Sequence, residues 1–274
     1  MLLAQLTDMH IKADGRWAYG KVDTVGYLQK AIDHVNRFRP KIDAVILTGD
    51  LTDRGGPREF EELRRHLQDL AIPWFPVPGN HDRRDMMREA FADHAQIGAC
   101  RDFIQYAVDD FPFRLIGIDT TEPGKPYGHL CEARLAWLDA CLAAAPDKPT
   151  LVFQHHPPFE TGIHHMDVQN LLNGDVLMDL LARHPQVRHV ACGHVHRPCE
   201  VTLRGIGVSI APNGAHSVSL DLDPEGPSSF TMDPPSLRLF NLDAARGRVV
   251  SHVSYVGEFD GPYPFFDMSG ALLD

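Results

Sequence analysis

Five times along this chain an apolar run of strand length stops at a turn carrying aspartate, asparagine or histidine. "LLAQLTD" runs into Asp8 and His10, and "DAVILTGD" into Asp50. "PWFPVPGNHD" runs into Asn80 and His81, "PTLVFQHHPP" into His155 and His156, and "VRHVACGHVH" into His194 and His196. Helical patterns lie between the runs. Residues 22–38 place Val22, Val25, Leu28, Ile32, Val35 and Phe38 three or four apart, an amphipathic helix that Pro40 stops. "PREFEELRRHLQDL" has Pro57 at a first helical position and repeats Phe60, Leu63, Leu67 and Leu70. Residues 83–92, "EARLAWLDACLAAA" and "DVLMDLLARH" read as further helices, and "FIQYAVDD" and "FRLIGID" as two strands about a short turn. Strand–helix alternation predicts an α/β fold with helices outside sheet layers. In such sheets ligands gather beyond the carboxyl ends of strands, so five turns distant in sequence can converge there.

The pattern changes after about residue 199. "CEVTLRG", "GVSIAP", "SVSLDLD", "LRLFNLD" and "RVVSHVSYV" are strand-like with no helices between them. "DPEGPSSFTMDPPS" is a long loop or extended arm, and the tail "GEFDGPYPFFDMSGALLD" is rich in aromatics. The division expected is a main domain over 1–215 and a strand-rich C-terminal extension over 216–274. The extension is read as a cap or oligomerisation arm; its tail packs back on its own domain, or the tail or the loop near 223–236 forms a subunit interface.

Charge and composition exclude several classes. The formal net charge is −11, against the basic surface with which proteins grip long nucleic acid. No run approaches the ~18–20 apolar residues of a membrane span. "MLLAQLTDMH" lacks the basic start of a signal peptide. The five cysteines are odd in number and none are spaced Cys-x-x-Cys. A disulfide framework or thiolate zinc site is not expected, and a reducing cytoplasm is.

The polar groups at the five turns are carboxylate, imidazole and amide oxygen, without thiolate. That donor set suits Mn, Fe, Zn or Co. Asp8, His10 and His196 could hold one ion, and Asn80, His155 and His194 a second. Asp50, with two carboxylate oxygens, could bridge them. Two ions ~3.5–4 Å apart form a clamp for phosphoryl transfer. Two dications less two aspartates leave a surplus of positive charge, which matches a phosphodiester monoanion plus a bridging hydroxide.

The series "DMH…GD…GNHD…HH…GHVH" resembles the calcineurin-like metallophosphoesterase superfamily, and spans residues 8–196. "TDMH", the "YG" that follows, "AVDDF", "HHPP" and Met166-Asp167 resemble its class III cyclic-nucleotide phosphodiesterases and bacterial glycerophosphodiesterases. The resemblance implies a β-sandwich flanked by helices, in α-β-β-α layers. It implies one metal on Asp8, His10, Asp50 and His196, and another on Asp50, Asn80, His155 and His194. It implies that His81 faces substrate, with Asn80 and His196 beside it, donating to the phosphate or to the leaving alkoxide. A homo-oligomer, a dimer or larger, is expected by the same resemblance.

Other positions carry paired readings. Asp82 would orient His81 or cap the following helix. His156 points away from His155 and supports rather than ligates. Arg54, in "GDLTDRGG", resembles a phosphate-binding arginine of the superfamily's phosphoprotein phosphatases, or is a surface residue. His164, His165 and His216 line the substrate pocket or face solvent. The function expected is metal-dependent hydrolysis of small phosphodiesters such as 3′,5′-cyclic nucleotides. The alternatives are a glycerophosphodiesterase, a broad-specificity phosphodiesterase or phosphomonoesterase, and a non-catalytic metal-binding scaffold.

Overall fold

The computed structural model of the protein describes residues 1–273. The elements β1 (Leu2–Leu6), α1 (Thr24–Arg37), β2 (Ala44–Thr48), α2 (Pro57–Leu67), β3 (Trp74–Val77) and α3 (Arg84–Ala90) come first. Then follow β4 (Tyr106–Val108), β5 (Arg114–Gly117), α4 (Glu132–Ala143), β6 (Thr150–Phe153), the single-turn α5 (His164–Asp167), α6 (Gly174–Ala182) and β7 (Val187–Cys192). The chain continues through β8 (Cys199–Leu203), β9 (Ile206–Ile210), β10 (Ser217–Val218), β11 (Phe230–Thr231), β12 (Ser236–Asp243) and β13 (Arg248–Tyr255).

Two sheets face each other. The first has the order β13-β12-β1-β2-β3, with β1, β2 and β3 parallel. The second has the order β4-β5-β6-β7-β9-β8, parallel from β5 through β9 with an antiparallel strand at each edge. Leu3, Leu47, Phe240 and Val77 of the first sheet share one apolar cluster with Leu115, Phe153 and Ala191 of the second. The sandwich follows from the sequence: "AVILT" and "TLVF" are buried at every position, as strands covered on both faces must be.

Helices cover the outer faces. α1 buries Leu28, Ile32 and Val35, and α2 buries Phe60, Leu63 and Leu67, in the cluster of the first sheet. α4 and α6 bury Leu138, Leu142, Leu177 and Leu181 in the cluster of the second. The layers are therefore α-β-β-α. Among the described residues no helix is long and apolar enough to cross a membrane.

The residues after 215 do not form a separate layer. β12 pairs antiparallel with β1, from Leu2↔Asn241 to Gln5↔Arg238, and β13 pairs with β12 over eight residues. The last two long strands thus complete the first sheet. The small β10–β11 pairing stands apart from both sheets.

Candidate metal centre

Parallel pairing brings the carboxyl ends of β1, β2 and β3 to one edge of the first sheet. The ends of β6 and β7 meet them from the second. Asp8, His10, Asp50, His155, His194 and His196 are all buried there, with Asn80 and His81 partly exposed.

The turns that aim these side chains are strained. Asp8 (φ 53°), His10 (43°), Asp50 (47°), His194 (77°) and His196 (56°) lie in the left-handed region, which costs a non-glycine residue about 1–3 kcal/mol. Local bonds hold them there. The Asp8 amide donates to the Gly49 carbonyl at 3.0 Å and the His10 amide to the Asp50 carbonyl at 2.9 Å. The His194 amide donates to the Asp8 carboxylate at 3.0 Å, tying the two sheets together. Gly193 makes that approach possible, since a Cβ there would come within 2.2 Å of Thr7 Oγ1.

The donors converge in two sets. In one, His10 Nε2 lies 3.2 Å from His196 Nε2, which is 3.3 Å from Asp8 Oδ1. In the other, His155 Nε2 lies 3.0 Å from Asn80 Oδ1 and 3.2 Å from His194 Nδ1. Asp50 Oδ2 faces both, at 3.7 Å from His10 Nε2 and 3.4 Å from His155 Nε2. Its other oxygen accepts the His81 amide at 2.9 Å, so a single oxygen, not both, is turned to the two sets.

These donors fit divalent cations. His155 Nδ1 donates to the Thr48 carbonyl at 2.8 Å, so in the neutral ring Nε2 carries a lone pair. That lone pair, an amide oxygen and a carboxylate oxygen face one another, an arrangement that needs either a proton on Nε2 or a cation among the three; the metal-free site takes the proton, and a divalent cation would replace it. Two ligands on one ion at ~2.0–2.1 Å stand about 2.9–3.4 Å apart, the spacing most of these pairs adopt. Charge follows the same division. Burial would raise the Asp8 carboxyl, but His196 and His155 hold it down at about 2. Burial, then His155, lowers His194 to about 3. Burial works against the His155 imidazole, yet Asp50 and Asp8 raise it to about 9. Two carboxylates and the imidazoles around them thus form a site that favours positive charge.

The remaining expected residues divide. The His156 ring is occupied on both sides, Nδ1 with Thr120 Oγ1 at 2.8 Å and Nε2 with the Pro126 carbonyl at 3.2 Å. His81 projects its ring at the centre, 4.6 Å from the His10 ring and T-shaped to it. Asp82 neither orients His81 nor caps α3. His81 Nδ1 donates instead to the Asp53 carbonyl at 2.7 Å, and the N-cap of α3, Arg83, has no side-chain bond. The Asp82 carboxylate is filled by four donors: the amides of Leu51, Thr52 and Gly79 and the Thr52 hydroxyl. Arg54 is corrected too. Its side chain is 81 % exposed beside Asp53 and does not line the cleft.

A cleft of about 390 Å³ opens over the centre. His165 and His216 line it, whereas His164 is exposed and does not. Tyr19, Met166, Gln169, Val218, Ser228 and Phe230 line it without having been singled out as pocket residues. Tyr19 packs on Phe230 at 5.1 Å and His216 at 5.5 Å, and is itself left-handed (φ 53°).

The calcineurin-like phosphoesterase profile matches residues 1–198. A protein named as a probable glycerophosphodiester phosphodiesterase of Arcobacter nitrofigilis is 42% identical over 275 residues, covering 100% of both chains. A probable cyclic nucleotide phosphodiesterase of Rhodopseudomonas palustris is 37% identical, covering 96% of this chain and 94% of the other. Among solved structures, a dimetal phosphatase from Danio rerio superposes with a TM-score of 0.63 at 17% identity, over 88% of this chain and 92% of its own.

Proposed function

The chain belongs to the calcineurin-like phosphoesterase family, and on that premise we propose that it hydrolyses small phosphodiesters at a two-metal centre. The observation that carries this reading is Asp50 Oδ2, one oxygen turned to two separate donor sets. The ions implied are Mn, Fe, Zn or Co. One set would be Asp8, His10, Asp50 and His196, the other Asp50, Asn80, His155 and His194.

Divalent ions at these sets would supply an activated water and neutralise charge on the phosphoryl oxygens. The chain's own groups do the rest. The seven donors include only two carboxylates, so the loaded centre keeps enough positive charge to hold a diester anion. Asn80 contributes a neutral oxygen and preserves that surplus. With Nδ1 committed to the Asp53 carbonyl, the neutral His81 ring offers only an acceptor at Nε2. The protonated ring therefore donates from Nε2, to a phosphoryl oxygen or to the leaving alkoxide. The mouth lined by Tyr19, Phe230, His165 and Gln169 receives the ester groups.

Two substrate classes have support from relatives. Glycerophosphodiesters are named for the relative that aligns end to end, and cyclic nucleotides for the one at 37%. A substrate panel on metal-reconstituted enzyme tests the reading. Chelation should abolish turnover of bis(p-nitrophenyl) phosphate and Mn should restore it. Asp50→Ala should lose metal and activity together, and diesters should be cleaved faster than p-nitrophenyl phosphate. Chelator-resistant turnover, or a monoester preference, would overturn it.

We also read the chain as a homo-oligomer. The support is the tail, where Phe259, Tyr263, Phe265 and Phe266 are all exposed. Sedimentation velocity of the full chain and of one ending at residue 256 tests this, and an equal number of subunits in the two would refute the role of the tail.

A further inference from the structure

His216 stands behind His196. Its Nε2 lies 3.2 Å from His196 Nδ1, with the two rings T-shaped and their centroids 4.7 Å apart. On its far sides it is wedged by Tyr19 and Phe230, each with its ring centroid at 5.5 Å, and it is 3 % exposed. The other face of the His196 ring presents Nε2 to Asp8 Oδ1 at 3.3 Å and to His10 Nε2 at 3.2 Å.

A second polar group also reaches His196 Nδ1: the Asn213 amide nitrogen, at 3.3 Å. The orientation of Asn213 is fixed. Its oxygen accepts the Ala215 amide at 2.7 Å and its nitrogen donates to the Asp8 carbonyl at 2.6 Å. Asn213 can therefore only donate towards His196. Were that its bond, His196 Nδ1 would be the acceptor and the ring proton would sit on Nε2, pointing at Asp8 and His10. A ring so protonated cannot give Nε2 to a cation. The alternative is that Nδ1 carries the proton and donates it. The acceptor within reach is His216 Nε2.

We propose that His216 is a positioning residue that accepts a hydrogen bond from His196 Nδ1–H and so keeps His196 Nε2 bare towards Asp8 and His10. The assignment rests on the two-metal reading above, and it differs from the substrate-contact role expected of His216 from sequence. Partners that accept the second ring proton of a ligating histidine fix its tautomer, and losing one costs about 10–100-fold in metal affinity.

Zinc titration of the metal-free protein by calorimetry tests this. Wild type should show two sites. His216→Ala should weaken the site containing His196 by about 10–100-fold and leave the His155–His194 site unchanged. His216→Gln, whose side-chain oxygen can accept the same proton, should recover most of that affinity. Unchanged affinity at both sites in His216→Ala, or equal weakening of both, overturns the proposal. A second readout needs no variant. Histidine ¹⁵N spectra of wild type, with and without zinc, should show His196 protonated at Nδ1 and His216 bare at Nε2. A His216 ring protonated at Nε2 overturns the proposal whether or not the variant folds. Fewer than two zinc sites in wild type would instead sink the two-metal reading, and the tautomer spectra would still decide the role of His216.

Discussion

The Asp53 carbonyl accepts from His81 Nδ1, and that bond separates two neighbouring residues in function. His81 keeps its free nitrogen at the mouth of the cleft, with its side chain 38 % exposed. Asp82 spends all its acceptor capacity on the 51–52 turn and Gly79. Truncation should therefore read differently at each. His81→Ala should bind metal as wild type does and lose roughly 10²–10⁴ in kcat, the range for a general acid. Retained wild-type kcat would remove His81 from the reaction. Asp82→Ala leaves four donors without their acceptor, at about 1–3 kcal/mol for each buried one. It should lower stability in urea by several kcal/mol, and an unchanged midpoint would show that water replaces the carboxylate without cost. The seven converging donors were legible as candidates in the sequence because residue type and strand-end position are local properties. The bonds of Asp82 were not, because three of its four donors belong to Leu51 and Thr52, about thirty positions away. Tyr19, Gln169 and Phe230 were missed for the same reason: the fold, not their neighbours in sequence, carries them to the cleft.

Element by element, the parallel strands and their helices follow from hydrophobic spacing, and the C-terminal strands show its limit. "LRLFNLD" was legible as a strand, but nothing local says that it pairs with β1. "SVSLDLD" alternates as well as any strand, yet only Ser217–Val218 pair, and Leu220 and Leu222 are exposed. Alternation marks a half-buried surface only when another element arrives to cover it. β12 does find cover. Its Arg238 is buried and reaches across to Glu200 and, at 2.8 Å, the Ile210 carbonyl, so it links the first sheet to the second. That buried charge lies near His189 on β7, whose Nε2 meets Ser209 Oγ at 2.7 Å. Burial, then the Arg238 charge, lowers the His189 imidazole to about 4. The folded chain thus keeps His189 neutral at pH values where the unfolded chain, near 6.5, takes up a proton. Its contribution is complete above pH 6.5 and is lost as pH falls towards 4, on the order of 3 kcal/mol. Denaturant titrations should show a shallower loss of stability between pH 7 and 5 in His189→Gln than in wild type. Parallel pH profiles would mean that His189 titrates alike in both states.

At the scale of the whole molecule, the candidate metal centre is also a junction between sheets. Asp8, His10, Asp50 and Asn80 follow strands of the first sheet, and His155, His194 and His196 follow strands of the second. Each donor set draws on both. The chain's own cross-ties at this edge include the His194 amide on Asp8, His155 Nδ1 on the Thr48 carbonyl, the Asn213 amide on the Asp8 carbonyl and, at 2.9 Å, the Gln5 amide on the Cys192 carbonyl. A cation held by donors from both sheets must stabilise the sandwich as a unit, because the unfolded chain cannot present them together. Free metal at 1,000 times its Kd would add about 4 kcal/mol per site. Chelation should therefore lower the melting temperature of the whole protein by several degrees in a single cooperative transition. A control separates this effect from a general action of the chelator. Asp50→Ala removes the oxygen turned to both sets, so its melting temperature should already be low and should move little on chelation. If wild type and Asp50→Ala shifted equally, the ions would be stabilising the fold from somewhere other than this junction. If neither shifted, the two sheets would be held by their apolar packing and their own hydrogen-bonded ties, and the centre would be a passenger on a sandwich that does not need it.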